Sequence, residues 1–309
     1  MKFKLTVCLL IVSLTLFSQN KKIENLKITI LSTMLSDIYI GEWGFSAMIE
    51  ADGKKILFDA GSRENTVLQN AKELNISLEN IEEVFISHNH KDHTGGLLKI
   101  KENFPNSFTI AHVGKGIFYS RPNNNGSEHY ILKNKSKLEK LGVKFISHSK
   151  PSEIIPGIWT TGYVPRKYDE KNWSQLSKLI TDRGLKIEDT VPEDQSLFFD
   201  TENGIVLISG CGHAGLANTL DHVKKIMPGR PIYKILGGFH LLKLNEKKLK
   251  WTAEKMKEAG IEYFVGAHCT GINSTYSIRG YMGLSSNNVL VGSVGTYITK
   301  NGIKSGYMQ

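Results

Sequence analysis

The chain has 309 residues, of which 40% are hydrophobic and 22% are charged, so it can bury a substantial globular core. This composition excludes a mainly disordered chain, and three cysteines are too few for a small fold held together by disulfides. The formal net charge is +9, but the lysines are scattered without a compact basic stripe, which argues against a nucleic-acid channel and favours a small-molecule substrate, with an anionic one a natural fit.

The first residues, 1–19, have the pattern of a signal peptide. Lys2 and Lys4 supply the positive start, and a short apolar stretch and a small residue follow. The stretch is short for a membrane-spanning helix, although an uncleaved anchor remains an alternative. Cys8 lies inside the stretch rather than after it, which argues against lipid attachment. We therefore expect export to the periplasm or the medium, with no stable membrane insertion after cleavage.

The next segments predict strands, a hairpin and a helix. Lys27 to Met34 is an apolar strand, and Asp52-Gly53 is a turn signal between two apolar runs, which predicts a hairpin whose second strand ends at Asp59. Apolar residues then recur on one helical face, at Val67, Leu68, Ala71 and Leu74. A buried strand, Val84-Phe85-Ile86, follows this helix.

The second half of the chain repeats this order of elements, so we expect a single domain over residues 20–309. The predicted elements are a hairpin around Asn203-Gly204, a helix from Leu216 to Met227, a strand from Tyr233 to Leu236, a helix from Lys247 to Gly260, a strand from Tyr263 to Gly266, and terminal strands at Val289 to Val291 and Thr296 to Ile298.

Between the halves, residues 163–193 are polar and weakly periodic, which indicates an insertion. Two placements remain open for it. It could cover the active site, with Arg166 and Trp173 as wall residues, or it could be a peripheral loop. The segment from Arg121 to Tyr130 is rich in Pro, Asn, Gly and Ser and predicts a second, mobile loop.

The stretch after Val84-Phe85-Ile86 carries the strongest chemical signal of the chain. Three imidazoles and one carboxylate fall within six residues, and Gly95-Gly96 turns the chain into a helix behind them; the four groups are His88, His90, Asp92 and His93. Imidazole and carboxylate suit divalent zinc, iron or manganese. Burying four such groups without partners would cost several kcal/mol, about 2–7 for each neutral polar group. A polar surface loop is the alternative interpretation.

The spacing of these residues predicts ligands for two metals. His88 and His90 are two residues apart, so they point the same way in extended backbone. Asp92 and His93 follow as the chain turns, so they can face a second point nearby. One short segment can therefore supply two ligands to each of two divalent ions.

This H-x-H-x-D-H pattern, with the strand before it and Gly-Gly-Leu after it, resembles the metallo-β-lactamase-fold superfamily. The resemblance implies an α/β fold, an αββα sandwich of two mixed β-sheets with outer helices. Within the superfamily, the chain most resembles the group of metal-dependent hydrolases that includes archaeal 7,8-dihydropterin-6-methyl-4-(β-D-ribofuranosyl)-aminobenzene-5′-phosphate synthase. The motifs that carry this closer resemblance are Gly210-Cys211-Gly212-His213, Gly237-Gly238-Phe239-His240-Leu241, His268-Cys269-Thr270-Gly271 and Glu193-Asp194-Gln195-Ser196-Leu197.

The remaining site residues follow from these motifs. His213, which follows Gly212, and His268, which ends the last inner strand, are expected metal ligands. His240 is either a further ligand or a proton donor that faces the substrate, and we assign it with Asp92 to catalysis. The resemblance implies that Asp59 accepts a hydrogen bond from a ligand imidazole; a helix N-cap is its alternative role.

Two departures from the wider superfamily affect the expected metal centre. The usual G-H-T segment is absent, and Thr160-Thr161-Gly162 stands near its place. The bridging aspartate is also missing, and Cys211 or His213 stands there instead. We place Cys211 beside the ligands rather than among them, and we expect one or two divalent ions, zinc first, with manganese or iron as alternatives.

These residues predict a metal-dependent hydrolase in which a metal-bound hydroxide attacks an ester, lactone or phosphoester. A dihydropterin-type transferase that displaces diphosphate is the first alternative, since the subgroup resemblance supports it. A non-catalytic metal-binding protein is the second. The residues do not identify the substrate, because the fold supports many chemistries.

Overall fold

The computed structural model describes residues 21–122 and 126–306 of the chain. The predicted signal peptide, residues 1–19, lies outside these ranges. Among the helices within them, none combines the length and the apolarity that crossing a bilayer requires.

The strands of the described residues fall into two large sheets and one small one. In chain order they are β1 Leu26–Ser32, β2 Ser46–Ala51, β3 Lys54–Phe58, β4 Glu83–Phe85, β5 Ile110–Gly114, β6 Lys144–His148, β7 Ser152–Ile155, β8 Ile158–Thr160, β9 Lys178–Ile180, β10 Lys186–Glu188, β11 Leu197–Thr201, β12 Gly204–Ser209, β13 Ile232–Gly237, β14 Tyr263–Gly266, β15 Val289–Val291, β16 Tyr297–Thr299 and β17 Gly302–Lys304.

Both large sheets are mixed. The first has the order β17-β16-β1-β2-β3-β4-β5-β6, with antiparallel pairing up to β3 and parallel pairing from β3 to β6. The second has the order β15-β14-β13-β12-β11-β8-β7, parallel from β15 to β12 and antiparallel beyond. Each sheet therefore contains a block of parallel strands whose carboxyl ends share an edge.

Helices cover the outer faces of the two sheets. In chain order they are α1 Thr66–Glu73, α2 Lys91–Thr94, α3 Leu97–Asn103, α4 Tyr130–Lys140, α5 Leu216–Ile226, α6 Glu246–Ala259 and α7 Ile272–Met282, with a 3₁₀ turn at His268–Thr270. The longest, α6, begins at Asn245, whose side chain accepts a hydrogen bond from the Lys248 backbone N–H, and it ends at Gly260 in the left-handed conformation.

Three apolar clusters separate four layers. One lies between the sheets and includes Ile28, Phe58 and Phe199. A second packs the β12 sheet against α5, α6 and α7, and a third packs the β3 sheet against α1, α3 and α4. The predicted αββα sandwich of two mixed sheets with outer helices is confirmed.

Two segments differ from the expectations for them. Arg121, which we placed at the start of a mobile loop, is 3% exposed and forms ion pairs with Asp189 at 2.6 Å and Glu193 at 2.7 Å. The insertion is not structureless, because β9 and β10 pair as a small antiparallel sheet within it. Buried charge pairing, which local composition does not reveal, holds Arg121 against Asp189 and Glu193.

Candidate metal centre

The predicted site residues follow strands whose carboxyl ends meet at one edge of the sandwich. Asp59 follows β3, the histidine cluster follows β4, Cys211 and His213 follow β12, His240 follows β13, and His268 follows β14. Sites in open α/β sheets occupy this position, because several loops from parallel strands converge there. Residues separated by about half the chain are thereby brought into contact.

Three imidazoles form the first group. One ring nitrogen from each of His88, His90 and His213 lies within 4.8 Å of the others. His88 Nε2 is 3.0 Å from His90 Nδ1, and the ring centroids of His90 and His213 are 4.8 Å apart. We call this set the three-histidine triad.

A carboxylate and two imidazoles form the second group. One oxygen of Asp92 and one nitrogen each of His93 and His268 also lie within 4.8 Å of one another. Asp92 Oδ2 is 3.3 Å from His268 Nε2 and 3.9 Å from His93 Nε2. We call this set the Asp–His–His triad. The two residues of the cluster that come first in sequence serve one triad, and the next two serve the other.

Asp59 and Ser87 orient one imidazole in each triad. The Asp59 carboxylate accepts hydrogen bonds from His93 Nδ1, the Ser87 backbone N–H and the Ser87 hydroxyl, each at 2.7 Å. Because the Ser87 hydroxyl donates its only hydrogen to Asp59, it accepts from His88 Nδ1 at 2.9 Å. His88 and His93 thus each carry a proton on Nδ1, which makes Nε2 the atom of each ring that can bind a metal. Asp59 is not a helix N-cap, since α1 begins after Asn65.

Unpartnered nitrogens show that the residues fit a metal. His213 donates from Nδ1 to the Asn172 carbonyl, and its buried Nε2 has no hydrogen-bond partner. Neither ring nitrogen of the buried His268 has one either. An unsatisfied buried polar group costs about 1–3 kcal/mol, and a cation bound to these electron pairs would remove that cost.

The charge states of most of the ligands also suit a cation. His93 is the exception: burial lowers its pKa, but Asp59 and Asp92 raise it to about 9, so a metal bound there would displace a proton. In the metal-free protein, burial and the neighbouring imidazoles hold the pKa of His88 and His213 well below the ordinary value, and burial lowers that of His90 to about 4. Although burial opposes ionisation of Asp92, His93 and His268 lower its pKa below the ordinary value. Neutral imidazoles and an ionised carboxylate are the forms that bind divalent metals.

Cys211 lies between the triads. Its Sγ is 3.2 Å from His93 Nε2, and it forms a further group within 4.8 Å with His88 and His93, one residue from each triad. The sequence left Cys211 or His213 in place of the bridging aspartate. Cys211 lies between the two triads, whereas His213 belongs to the three-histidine triad. The Sγ of Cys269 is 3.3 Å from that of Cys211.

His240 adjoins the triads without belonging to either. Its ring centroid is 4.5 Å from that of His213, and its Nδ1 is 3.3 Å from the Cys211 carbonyl oxygen. Its ring nitrogen also falls within 4.8 Å of Cys211 and His213, so both of its predicted roles remain geometrically open. Burial lowers its pKa, but the Cys269 sulfur, the Cys211 backbone carbonyl and Asp194 together raise it by more, so that the net shift is upward.

Gly210 lies behind the centre, and its backbone is so close to Ser87 and Asp59 that no side chain fits there. A Cβ at Gly210 would lie 2.1 Å from Ser87 Oγ and 2.7 Å from Asp59 Oδ2. Any larger residue would displace the two groups that orient His88 and His93. This explains the glycine before Cys211 in the strand-end motif.

Backbone strain is concentrated in the same place. Asp59, His240 and His268 have φ values of 53°, 50° and 47°, in the left-handed region that non-glycine residues rarely adopt. Such conformations cost on the order of 1–3 kcal/mol each and persist where the surroundings enforce them. Here they turn three side chains from their strand ends toward the centre.

A cavity of about 490 Å³ opens onto both triads. Trp43 lies on one side, with its ring centroid 4.7 Å from that of His268, and Trp173 of the insertion is also part of the lining. Lys171 and Lys243 bring positive charge to the wall. The insertion therefore lies over the site rather than at the periphery. Arg166 packs its guanidinium 5.0 Å from the centre of the Trp173 ring.

Several residues of the site were not predicted from the sequence. Ser87 directly precedes the cluster at a strand end, so its position was a usable signal. Trp43 and Asn172 lie in irregular loops, and nothing in their local sequence connects them to His268 or His213. Cys269 was a site candidate because it lies beside His268, with a bridge to Cys211 left open; the contact itself joins two distant strand ends.

Comparisons with known proteins agree with this architecture. The family described as "Anti-Pycsar protein Apyc1" matches residues 35–111. A 7,8-dihydropterin-6-methyl-4-(β-D-ribofuranosyl)-aminobenzene-5′-phosphate synthase from Methanocaldococcus jannaschii is 30% identical over 273 residues, which cover 82% of this chain and 90% of the relative. An uncharacterised protein of the same organism is 32% identical over 268 residues, 84% of this chain and 94% of that protein.

Solved structures share the fold. Tm1679, described as a metal-dependent hydrolase of the β-lactamase superfamily, matches with a TM-score of 0.74 and 24% identity over 88% of this chain and 98% of its own. The metallo-β-lactamase fold protein YhfI from Bacillus subtilis matches with a TM-score of 0.54 and 11% identity over 89% of this chain and 100% of its own. The chain therefore belongs to the metallo-β-lactamase-fold superfamily, in the group that includes the dihydropterin-linked synthase of M. jannaschii.

Proposed function

We propose that the protein is a metal-dependent hydrolase whose two triads each hold a divalent cation. The observation that carries this proposal is the convergence of six ligand side chains from three strand ends into two triads that share one cavity. His213 Nε2 and both nitrogens of His268 are left without hydrogen bonds there, which supports metal binding. Imidazole ligands with one carboxylate, and a thiol nearby, favour zinc over magnesium or calcium.

A bound divalent ion would lower the pKa of its water to about 7 and withdraw charge from a carbonyl or phosphoryl oxygen. The chain supplies the rest. Asp59 and Ser87 hold His88 and His93 in the ligating tautomer, and the Asp92 carboxylate balances the positive charge. His240, beside the cavity and with a raised pKa, is the group we assign to protonate the leaving group.

The lining of the cavity favours a small anionic substrate. Lys171 and Lys243 would attract a carboxylate or phosphate, and Trp43 and Trp173 offer flat apolar surfaces. A phosphoester, or a lactone with an acidic group, would offer negative charge to the lysines and an apolar surface to the tryptophans. The cavity is too small for a folded protein or a duplex.

Hydrolysis of a chemical panel tests this proposal. The zinc-loaded protein is incubated with carboxylic esters, lactones, phosphodiesters and β-lactams, beside the same protein stripped with a chelator. We expect turnover of at least one class that is lost on chelation and in His88→Ala. Full metal content without turnover across the panel would instead favour a non-catalytic metal-binding protein.

A transferase is a second candidate, because the curated relative at 30% identity is named as a synthase. In that case the cations would hold a diphosphate leaving group while an aromatic carbon or amine attacks. Incubation of the metal-loaded protein with a pterin diphosphate and an aromatic phosphate distinguishes a transferase from a hydrolase. A coupled product would support the transferase, and release of inorganic phosphate or diphosphate without coupling would support the hydrolase.

We also propose that the protein is exported. The charged start and apolar stretch of residues 1–19 support this, although these residues lie outside the described part of the chain. N-terminal sequencing of the protein recovered from the periplasm or the medium would show a start near residue 20. Full-length protein confined to the cytoplasm would contradict export.

A further inference from the structure

The two cysteines of the site are close enough to react with each other. Their Sγ atoms are 3.3 Å apart, and each residue is 2% exposed. Cys211 follows β12 and Cys269 follows β14, on either side of β13. A disulfide bond is about 2.05 Å long, so the sulfurs need to close by only about 1 Å. Neither sulfur is needed to complete a triad, so the proposed function does not account for the pair.

We propose that Cys211 and Cys269 form a redox modification site, in which a reversible disulfide removes a sulfur from the metal centre and weakens metal binding. The pair lines the cavity that also contains the triads, so a small oxidant can reach it from solvent. Both residues are almost fully buried, so a bulky disulfide reagent in solution cannot reach them as an oxidant. Hydrogen peroxide is small enough to do so.

The chemistry balances with one peroxide. The backbone N–H of His240 donates to Cys269 Sγ at 3.4 Å, which supports negative charge on that sulfur. The Cys269 thiolate attacks one oxygen of peroxide, the O–O bond breaks, and a sulfenic acid and hydroxide form. The Cys211 sulfur then attacks the Cys269 sulfur, the S–O bond breaks, and the leaving hydroxide takes the thiol proton. Two thiols and one peroxide thus give one disulfide and two waters, and an added thiol reverses the change.

The position of Cys211 links this modification to the metal. Its Sγ lies within 4.8 Å of ring nitrogens of both His88 and His93, so it faces both triads. A free thiol at this point can lose its proton to a bound cation and become a thiolate ligand. A disulfide sulfur carries no charge and is a poor ligand. Oxidation should therefore weaken metal binding even though all six triad residues remain.

The test uses the full-length, metal-free protein with and without hydrogen peroxide. After free thiols are alkylated, peptide mapping by mass spectrometry should show Cys211 joined to Cys269, while Cys8 stays alkylated or pairs between chains. Zinc titration should show that the oxidised protein binds zinc about tenfold more weakly, or weaker still, which is the effect that loss of a residue supporting a ligand usually has. Dithiothreitol should restore the affinity. Cys269→Ser should lack the cross-link, and Cys8→Ser should retain it.

Two results would overturn the proposal. One is the recovery of Cys211 and Cys269 as separate alkylated residues after peroxide treatment of the unsubstituted chain. The other is a mapped cross-link with unchanged zinc affinity. Because neither readout involves hydrolysis, failure here is distinguishable from failure of the proposed function.

Discussion

At the scale of single residues, the centre depends on which nitrogen of each imidazole carries the proton. His93 and Ser87 donate hydrogen bonds to Asp59, and His88 donates one to Ser87, so that Nε2 is the atom of both imidazoles that can bind a metal. The spacing H-x-H-x-D-H could predict that His88 and His90 separate from Asp92 and His93 into two groups. His213 and His268 had to come from their own strand-end motifs and the family resemblance. The sequence could not predict the Ser87 link or Cys211 lying between the triads, since both depend on contacts across the fold.

Two histidine substitutions should separate metal binding from catalysis. His88→Ala removes a triad member, so we expect it to lose metal and activity together. His240→Ala should keep its metal but lose turnover by about 100- to 10,000-fold, the usual contribution of a general acid. Elemental analysis and hydrolysis assays of both variants measure the two effects. Loss of metal from His240→Ala would show that His240 is a ligand and that its assigned role is wrong.

Glycine 210 provides a second test at this scale. Gly210→Ala would push a methyl group into Ser87 and Asp59, so we expect destabilisation of about 1–3 kcal/mol and weaker metal binding. Gly280→Ala is the matched control, because an added Cβ in exposed α7 meets no atom within 4 Å and should stabilise the helix by about 0.5–1 kcal/mol. Denaturant titration of both variants gives the difference. Equal stability of the two would refute the packing argument.

At the scale of elements, local sequence predicted the hairpins and the strand ends better than the connections. Asp52-Gly53 and Asn203-Gly204 do turn two antiparallel pairs, β2–β3 and β11–β12. Helix α4 was not predicted: it begins at Tyr130, where the predicted loop ends, and buries Ile131 and Leu138 beneath a lysine-rich surface. This helix has few apolar residues, so its sequence shows only a weak helical pattern. Packing against the first sheet, which the sequence does not reveal, stabilises it.

The insertion is held over the site by a buried ion network. Arg121 reaches Asp189 and Glu193 across more than 60 residues of sequence, with separations of 68 and 72. Breaking a buried pair leaves a charge without a partner, which costs about 3–5 kcal/mol. Asp189 also lines the cavity, so the network connects the fold of the insertion to the shape of the site.

We expect Arg121→Met to lower the free energy of unfolding by about 3–5 kcal/mol. Lys250→Met is the control, since the exposed Lys250–Glu246 pair is screened by solvent and should contribute little. Urea unfolding followed by fluorescence compares the two variants. A loss in Arg121→Met no larger than in Lys250→Met would mean that the network does not stabilise the insertion.

At the scale of the whole molecule, each large sheet contributes side chains to one centre. Asp59 and the histidine cluster come from the first sheet, whereas His213, His240 and His268 come from the second. The sandwich was predictable from the repeated order of elements and from the family resemblance. The strand order within each sheet was not, because it depends on pairings such as β1 with β16 that join the two ends of the chain.

Because metals bound to the two triads would join the two sheets, their removal should lower thermal stability. A ligand at 100 times its dissociation constant stabilises the native state by about 2.7 kcal/mol, so chelation should reduce the melting temperature by several degrees. Calorimetry with and without a chelator measures this change. His88→Ala should show a smaller drop than the unsubstituted chain, and an unchanged melting temperature after chelation would argue that no metal bridges the sheets.

The central claim is that both triads bind divalent cations, and anomalous diffraction from crystals of the zinc-loaded protein tests it most directly. The account predicts one anomalous peak within bonding distance, about 2.0–2.3 Å, of His88, His90 and His213, and a second at that distance from Asp92, His93 and His268. Zinc bound elsewhere, with both triads lacking a peak, would contradict it.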